Sequence, residues 1–139
     1  MSEPTPEVRP LTKSDYEALA AFRRRLRRFL HVSEEGARLA GVTPQQHQLL
    51  LAIKGQPGRE WMTVADAADW LQITHHAAVG LADRCERLGL IERCRDSEDR
   101  RQVRLVLTAK GNESLSFVSE RNRNEYPALL SALKLPFLD

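Results

Sequence analysis

The fold of this chain is decided by residues 88–111, LGLIERCRDSEDRRQVRLVLTAKG. Two short runs in this stretch, Leu90–Arg95 and Gln102–Leu107, have the composition of strands, and they flank a loop of mixed charge at residues 96–101. This pattern predicts a β-hairpin with an arginine-bearing tip. Gly89 lies directly before the hairpin and suits the left-handed cap of a preceding helix. A helix that leads into a basic hairpin is typical of a winged helix-turn-helix.

Helical periodicity organises the chain before this hairpin. Residues 12–40 predict one long helix, and its apolar stripe consists of Leu19, Phe22, Leu26, Phe29 and Leu30. Capping patterns predict that a second helix begins after Thr43 and a third after Thr63. Gln72 and Ile73 predict a tight turn before a fourth helix, which Thr74 caps. The third and fourth helices therefore form a helix-turn-helix.

The segments around the hairpin complete the predicted architecture. Trp61 and Met62 are candidates for a small third strand beside the wing. A last helix is predicted to begin at Thr108 and to break before Pro127, and a short apolar tail follows over residues 128–138. The fold class is mainly α with a small β-hairpin wing.

Composition indicates one domain and excludes several classes of protein. The 139 residues are 42% apolar and 29% charged, which suits a single globular unit. Residues 1–11 predict a disordered lead-in without the apolar core of a signal peptide, and no run of about 18 apolar residues predicts a membrane span. The two cysteines suit a reducing cytoplasm. No catalytic motif is present, so we expect a cytoplasmic protein that is not an enzyme and holds no cofactor or metal.

The distribution of charge is more informative than the net charge of +2. One arginine cluster lies at residues 23–28, and we expect it to form a solvated helix face. A second cluster lies in the hairpin and comprises Arg93, Arg95, Arg100, Arg101 and Arg104. A projecting basic loop of this kind suits contact with phosphate, which needs a local basic surface rather than a basic total.

The hairpin also carries a resemblance to a known family. Gly89-Leu90-Ile91, Asp96-x-x-Asp99-Arg100-Arg101 and Leu107-Thr108-x-x-Gly111 resemble, in this order, the wing signature of the MarR family of bacterial transcription regulators. The resemblance implies a homodimer that binds a pseudo-palindromic double-stranded DNA operator, commonly as a repressor released by a small aromatic effector. It also implies a lobe at 43–107 and a helical dimerisation region at 12–41 and 108–139. The segment after Gly111 is shorter than is usual in the family, which implies a smaller dimer interface.

Eight residues are predicted to contact DNA. His75 and His76 begin the fourth helix, where side chains reach base edges, and imidazole can donate to or accept from a base. The resemblance makes this the recognition helix, makes Asp99 the residue that orients an arginine, and aims Arg101 at the minor groove. The full predicted set is Thr74, His75, His76, Val79, Arg84, Asp99, Arg100 and Arg101.

Other interpretations of these residues remain open at this point. The lobe is alternatively a protein-interaction module without specific DNA binding. Trp61 and Trp70 are candidates for a ligand pocket, but we expect Trp70 to pack within the lobe. Cys94 is a candidate thiol switch beside two arginines, but we expect both it and Cys85 to be buried and structural.

Overall fold

The computed structural model describes residues 9–96, 98–99, 101–135 and 137. Residues 1–8 of the predicted lead-in at 1–11, and the predicted DNA contact Arg100, lie outside the described residues. The elements in chain order are α1 Lys13–Leu39, α2 Pro44–Lys54, α3 Val64–Leu71, α4 His75–Arg87, β1 Ile91–Arg95, β2 Val103–Leu107, α5 Ala109–Asn122, a 3-10 turn at Arg123–Glu125, and α6 Tyr126–Ala132. The predicted fold class, mainly α with a hairpin wing, is confirmed.

Local side-chain caps determine where the helices begin. The hydroxyl of Thr43 accepts a hydrogen bond from the Gln46 backbone N–H at 3.1 Å, and the Gln46 side chain accepts one from the Thr43 N–H at 2.9 Å. Thr63 and Asp66 form the same reciprocal pair at the start of α3. Both predicted capping boxes are therefore present, and each satisfies N–H groups that have no partner within the helix.

The chain separates into two compact units, and the larger one comprises residues 32–123. In this unit β1 pairs antiparallel with β2, so that Ile91 lies opposite Leu107. Met62 forms an isolated bridge with Leu105 where the sequence predicted a small third strand at Trp61 and Met62, and the sheet of the described residues has two strands. The core beneath this sheet is formed by fully buried side chains: Leu49, Leu50, Ile53, Met62, Leu81, Leu90, Ile91 and Leu105.

The smaller unit comprises residues 9–31 and the described residues from 124 onward. The ring centroids of Phe29 and Tyr126 lie 5.1 Å apart, and Arg28 forms an ion pair with Glu125 at 3.5 Å. The predicted break before Pro127 is present as the 3-10 turn, but α6 continues through the first part of the predicted apolar tail. Proline is accommodated there because it occupies the first turn, where its missing N–H removes no helical hydrogen bond.

No helix among the described residues is both long and apolar enough to cross a membrane.

Two predictions about burial were wrong. Trp70 is 55% exposed and borders a shallow groove with Leu51 and Gly55, because the buried side of α3 is centred on Ala67. Cys94 is exposed because side chains alternate along β1, and its side of the two-stranded wing has no second layer to cover it.

Candidate nucleic-acid interface

The first turn of α4 presents polar side chains to solvent. Thr74 caps the helix, and its hydroxyl accepts a hydrogen bond from the Ala77 N–H at 3.0 Å. His75 and His76 follow and are both exposed. The buried stripe of α4 consists of Ala78, Leu81, Ala82 and Cys85. Packing of that stripe leaves the predicted contact residues accessible: Thr74, His75, His76 and Arg84 are exposed, and Val79 is half-buried.

The turn between α3 and α4 is a compact left-handed cap. Gln72 adopts a φ of 56°, and the Ile73 N–H donates to the Ala68 carbonyl at 3.0 Å. This arrangement satisfies carbonyls at the end of α3 and reverses the chain within a few residues. The helix-turn-helix predicted from Gln72 and Ile73 is therefore present.

Acidic side chains hold the backbone of the wing loop. Asp96 accepts from the Glu98 N–H, and Asp99 accepts from the Arg101 N–H, both at 3.0 Å. The pKa of Asp96 lies below its usual value because of the Glu98 N–H and, less strongly, the charge of Arg104. The side chain of Arg101 is exposed at this loop. Within the described part of the wing, Asp99 thus contacts the backbone of Arg101 rather than its guanidinium.

Two arginines of the predicted basic cluster are engaged in ion pairs. Arg93 bridges β1 and α4 through Asp83 at 2.8 Å and Glu86 at 2.9 Å. Arg104 pairs with Asp96 at 2.9 Å. The positive charge of these two guanidinium groups is largely compensated, and their role in the lobe is to connect elements.

Sequence reasoning missed a stack of side chains at the base of the wing. The guanidinium carbons of Arg59 and Arg104 each lie 3.9 Å from a ring centroid of Trp61. Arg59 also pairs with Asp66 at 3.2 Å. The sequence offered only a tryptophan in a predicted small strand, because Arg104 lies far from Trp61 along the chain and no local pattern pairs the two.

The two cysteines have different surroundings. Burial raises the pKa of Cys85 to about 11, which keeps its thiol protonated and unreactive. Cys94 is exposed on β1. In the part of the chain that the structure describes, no three His, Cys, Asp or Glu side chains are grouped to hold a metal ion.

A model of the MarR family matches residues 40–102, which span the helix-turn-helix and most of the wing. The winged lobe is a MarR-family domain. The resemblance predicted from the wing signature is thereby confirmed. No curated protein sequence matches the chain.

Solved structures of MarR type resemble the chain over most of its length. The transcriptional regulator Tm0710 from Thermotoga maritima is 27% identical, with a TM-score of 0.66 over 87% of this chain and 82% of that one. A mutant of MepR from S. aureus, bound to an oligodeoxyribonucleotide, is 25% identical with a TM-score of 0.64 over 90% of this chain and 86% of MepR. AbsC, a MarR family transcriptional regulator from Streptomyces coelicolor, is 22% identical with a TM-score of 0.68, over 93% and 86% of the two chains, and shares the fold.

The last part of the MarR wing signature has a structural explanation in this chain. Thr108 donates from its hydroxyl to the Gly89 carbonyl at 2.5 Å and from its N–H to the Leu90 carbonyl at 3.1 Å. The Lys110 ammonium donates to the Leu88 carbonyl at 2.7 Å. These contacts tie the start of α5 to the end of α4, so the position of the candidate recognition helix depends on residues after the wing.

Proposed function

We propose that this protein is a sequence-specific regulator of transcription that binds double-stranded DNA. In this proposal α4 enters a major groove and the wing reaches the adjacent minor groove. The observation that carries it is the exposed, polar start of α4, formed by Thr74, His75 and His76. The similarity to MepR, which was solved with an oligodeoxyribonucleotide, supports the same assignment.

The polar character of α4 also separates this proposal from its alternative. A winged helix that binds another protein through α4 would need an apolar or acidic face there. The exposed acidic residues of this helix, Asp83 and Glu86, are both paired with Arg93. Its other exposed polar side chains include His75, His76, Arg84 and Arg87. Hydrogen-bonding and cationic groups suit base edges and phosphates, and they therefore favour DNA over an apolar protein surface.

We further propose a homodimer that recognises an inverted repeat. Two recognition helices related by a two-fold axis enter major grooves about one helical turn apart on one face of the duplex. The proposed regulator acts as a repressor. A small aromatic or otherwise amphipathic ligand releases it from DNA, because the ligand binds more tightly to a spacing of the two lobes that does not fit the operator. The resemblance to the MarR family supports this part of the proposal.

The DNA contacts are tested by variants of the wing loop against a duplex selected from random sequences. Arg101→Ala should weaken binding by about 1–3 kcal/mol. Arg38→Ala, which removes the same charge from an exposed position on α1, is the matched control and should have a much smaller effect. Equal losses from the two variants would show that only total charge matters.

Asp99 provides a sharper test, because its carboxylate accepts the Arg101 N–H. Asp99→Asn keeps an acceptor oxygen and removes a negative charge, so it should leave DNA binding unchanged or tighten it. Asp99→Ala removes the acceptor as well and should weaken binding, although it also removes the charge. If Asp99→Ala tightens binding as much as Asp99→Asn does, the loop contributes only its positive charge. An ordered loop that positions Arg101 in the minor groove would then be excluded.

A further inference from the structure

The stack at the base of the wing is a continuous series of contacts from α3 to the wing loop. Asp66 belongs to the capping box of α3 and pairs with Arg59. Arg59 lies over Trp61, and Arg104 of β2 lies over the same side chain. Arg104 then pairs with Asp96, which begins the wing loop. Arg59 and Trp61 are close in sequence, but the contact of Trp61 with Arg104 joins two segments that are distant along the chain. Through that contact the series connects the start of α3 to the wing.

Trp61 is itself held in place by its neighbour. The N–H of Met62 donates to the Leu105 carbonyl at 3.2 Å, and the N–H of Leu105 donates to the Met62 carbonyl at 2.7 Å. Met62 and Leu105 are both fully buried. Trp61 and Arg104 each precede a member of this pair, so the core fixes the backbone from which both side chains of the stack extend.

The stack also reaches the loop through hydrogen bonds. One carboxylate oxygen of Asp96 accepts a hydrogen bond from the Arg104 guanidinium, and the other accepts one from the Glu98 N–H. The Asp96 N–H donates to the Gln102 carbonyl, and the Gln102 N–H donates to the Asp99 carbonyl. Asp99 in turn accepts from the Arg101 N–H. A change in the position of Arg104 is therefore transmitted to the backbone that carries Arg101.

We propose that Trp61 is a positioning residue for the wing. By stacking on Arg104 it holds the Arg104–Asp96 ion pair in one orientation, and so it orders the loop that presents Arg101. The inference rests on the proposed binding of DNA. Its physical reason is that a loop ordered before binding loses less conformational entropy when it enters the groove. A guanidinium on an aromatic face is itself stabilised by attraction to the electron-rich face of the ring.

The first test measures binding to two duplexes, the selected site with flanking base pairs and the same site shortened to remove the wing contacts. Trp61→Ala should lower affinity for the longer duplex by about 3- to 10-fold, which corresponds to the free energy of one cation–π contact. It should leave affinity for the shorter duplex unchanged. Trp61→Phe keeps an aromatic face and should restore most of the loss.

Trp70→Ala is the matched control, because Trp70 is an exposed tryptophan of the same lobe that borders a groove between α2 and α3. It should not distinguish the two duplexes. Equal losses by Trp61→Ala on both duplexes, or no loss on either, would overturn the proposal. If Trp61→Ala does not fold, Arg104→Met breaks the stack and the ion pair while it leaves Trp61 in place, and the same results are expected.

The second test does not depend on DNA. Hydrogen exchange at the amides of Asp96, Arg101 and Gln102 should be faster in Trp61→Ala than in the wild type and in Trp70→Ala. Unchanged exchange would overturn the positioning role even if the protein binds DNA. Faster exchange in a protein that binds no selected duplex would support the positioning role while it refutes the proposed function.

Discussion

Gly111 lies where the first turn of α5 passes the Leu90 carbonyl. A Cβ at this position would be 2.0 Å from the Leu90 oxygen, a non-bonded distance that real Cβ atoms essentially never show. The obstacle is backbone, and it is held by the hydrogen bond from the Thr108 N–H to the same oxygen. Glycine is therefore required here by close approach of two segments and not by an unusual φ.

We expect Gly111→Ala to destabilise the lobe by about 2–3 kcal/mol, the cost of forcing packed segments apart. Urea denaturation measures this as a lower midpoint. Gly80→Ala is the matched substitution, because the nearest atom to its added Cβ is the flexible Arg84 Nη1 at 3.3 Å. That change should raise stability by up to about 1 kcal/mol, since alanine is the better residue within a helix. Similar effects of the two substitutions would contradict the close approach at Leu90.

His47 is a second residue whose surroundings decide its behaviour. It is 6% exposed, and among the described residues its Nε2 has no hydrogen-bond partner. Burial lowers the pKa of His47 below the ordinary value of 6.5, because the charged imidazolium would lose its hydration. Between the two pKa values the unfolded chain therefore binds more protons than the folded one.

The resulting prediction concerns stability below neutral pH. The free energy of unfolding should fall as the pH drops through about 6.5 and continue to fall until the folded pKa is passed. His47→Leu should remove this part of the pH dependence, whereas His76→Gln, at an exposed position, should retain it. Chemical denaturation at a series of pH values measures the slope, and an identical slope in His47→Leu and wild type would exclude His47 as its source.

At the scale of elements, α4 and α5 meet in a joint built on Thr108. Its hydroxyl accepts from the Gly111 N–H at 3.0 Å, which caps α5, and donates to the Gly89 carbonyl, which belongs to the end of α4. Gly89 adopts a φ of 75°, so the chain leaves α4 through a left-handed residue. One side chain thereby satisfies groups at the ends of two helices.

Thr108→Val keeps the shape of the side chain and removes both of these hydrogen bonds. We expect a loss of about 1–3 kcal/mol, since the Gly111 N–H loses its capping acceptor and the Gly89 carbonyl loses a donor. Thr108→Ser preserves the hydroxyl and should remain within about 0.5 kcal/mol of the wild type, apart from the lost methyl contact. Thermal unfolding of the two variants separates these outcomes, and equal destabilisation would contradict a dominant role of the hydroxyl.

At the scale of the whole molecule, the smaller unit carries apolar side chains that the chain itself leaves exposed. On α1, on α6 and directly after α6 they include Tyr16, Leu26, Leu30, Leu130 and Leu133. Exposed apolar groups of this kind in a small unit suit burial against a second copy. This supports the proposed homodimer, and we propose that its interface includes α1 and α6.

We expect light scattering to give a mass twice that of one chain. Leu30→Glu puts a charge on this surface and should shift the protein to the monomer while it weakens DNA binding. Leu51→Glu, on an exposed apolar position of α2, is the control and should leave the dimer intact. A monomeric wild type at micromolar concentration, with and without DNA, would refute the proposed assembly.

The sequence by itself determined the features that depend on neighbouring residues. A capping box needs a threonine and a side chain three residues later, as at Thr43 and Thr63. The hairpin needs two strand-like runs around a polar turn, and the left-handed cap at Gly89 needs only that glycine. Such signals are complete within a few residues, which is why helices α1 to α5, the wing and its MarR resemblance were predicted correctly, whereas α6 was not predicted.

Only the tertiary structure decided which side chains meet across the lobe. The pairing of Arg93 with Asp83, the stack of Arg104 on Trp61 and the approach of Gly111 to Leu90 all join different elements. Hydrophobic periodicity predicts which face of a helix or strand is apolar, but it does not predict which other element packs against that face. For the same reason the exposure of Trp70 and Cys94 was not foreseen, since it depends on the absence of a covering layer that no local pattern encodes.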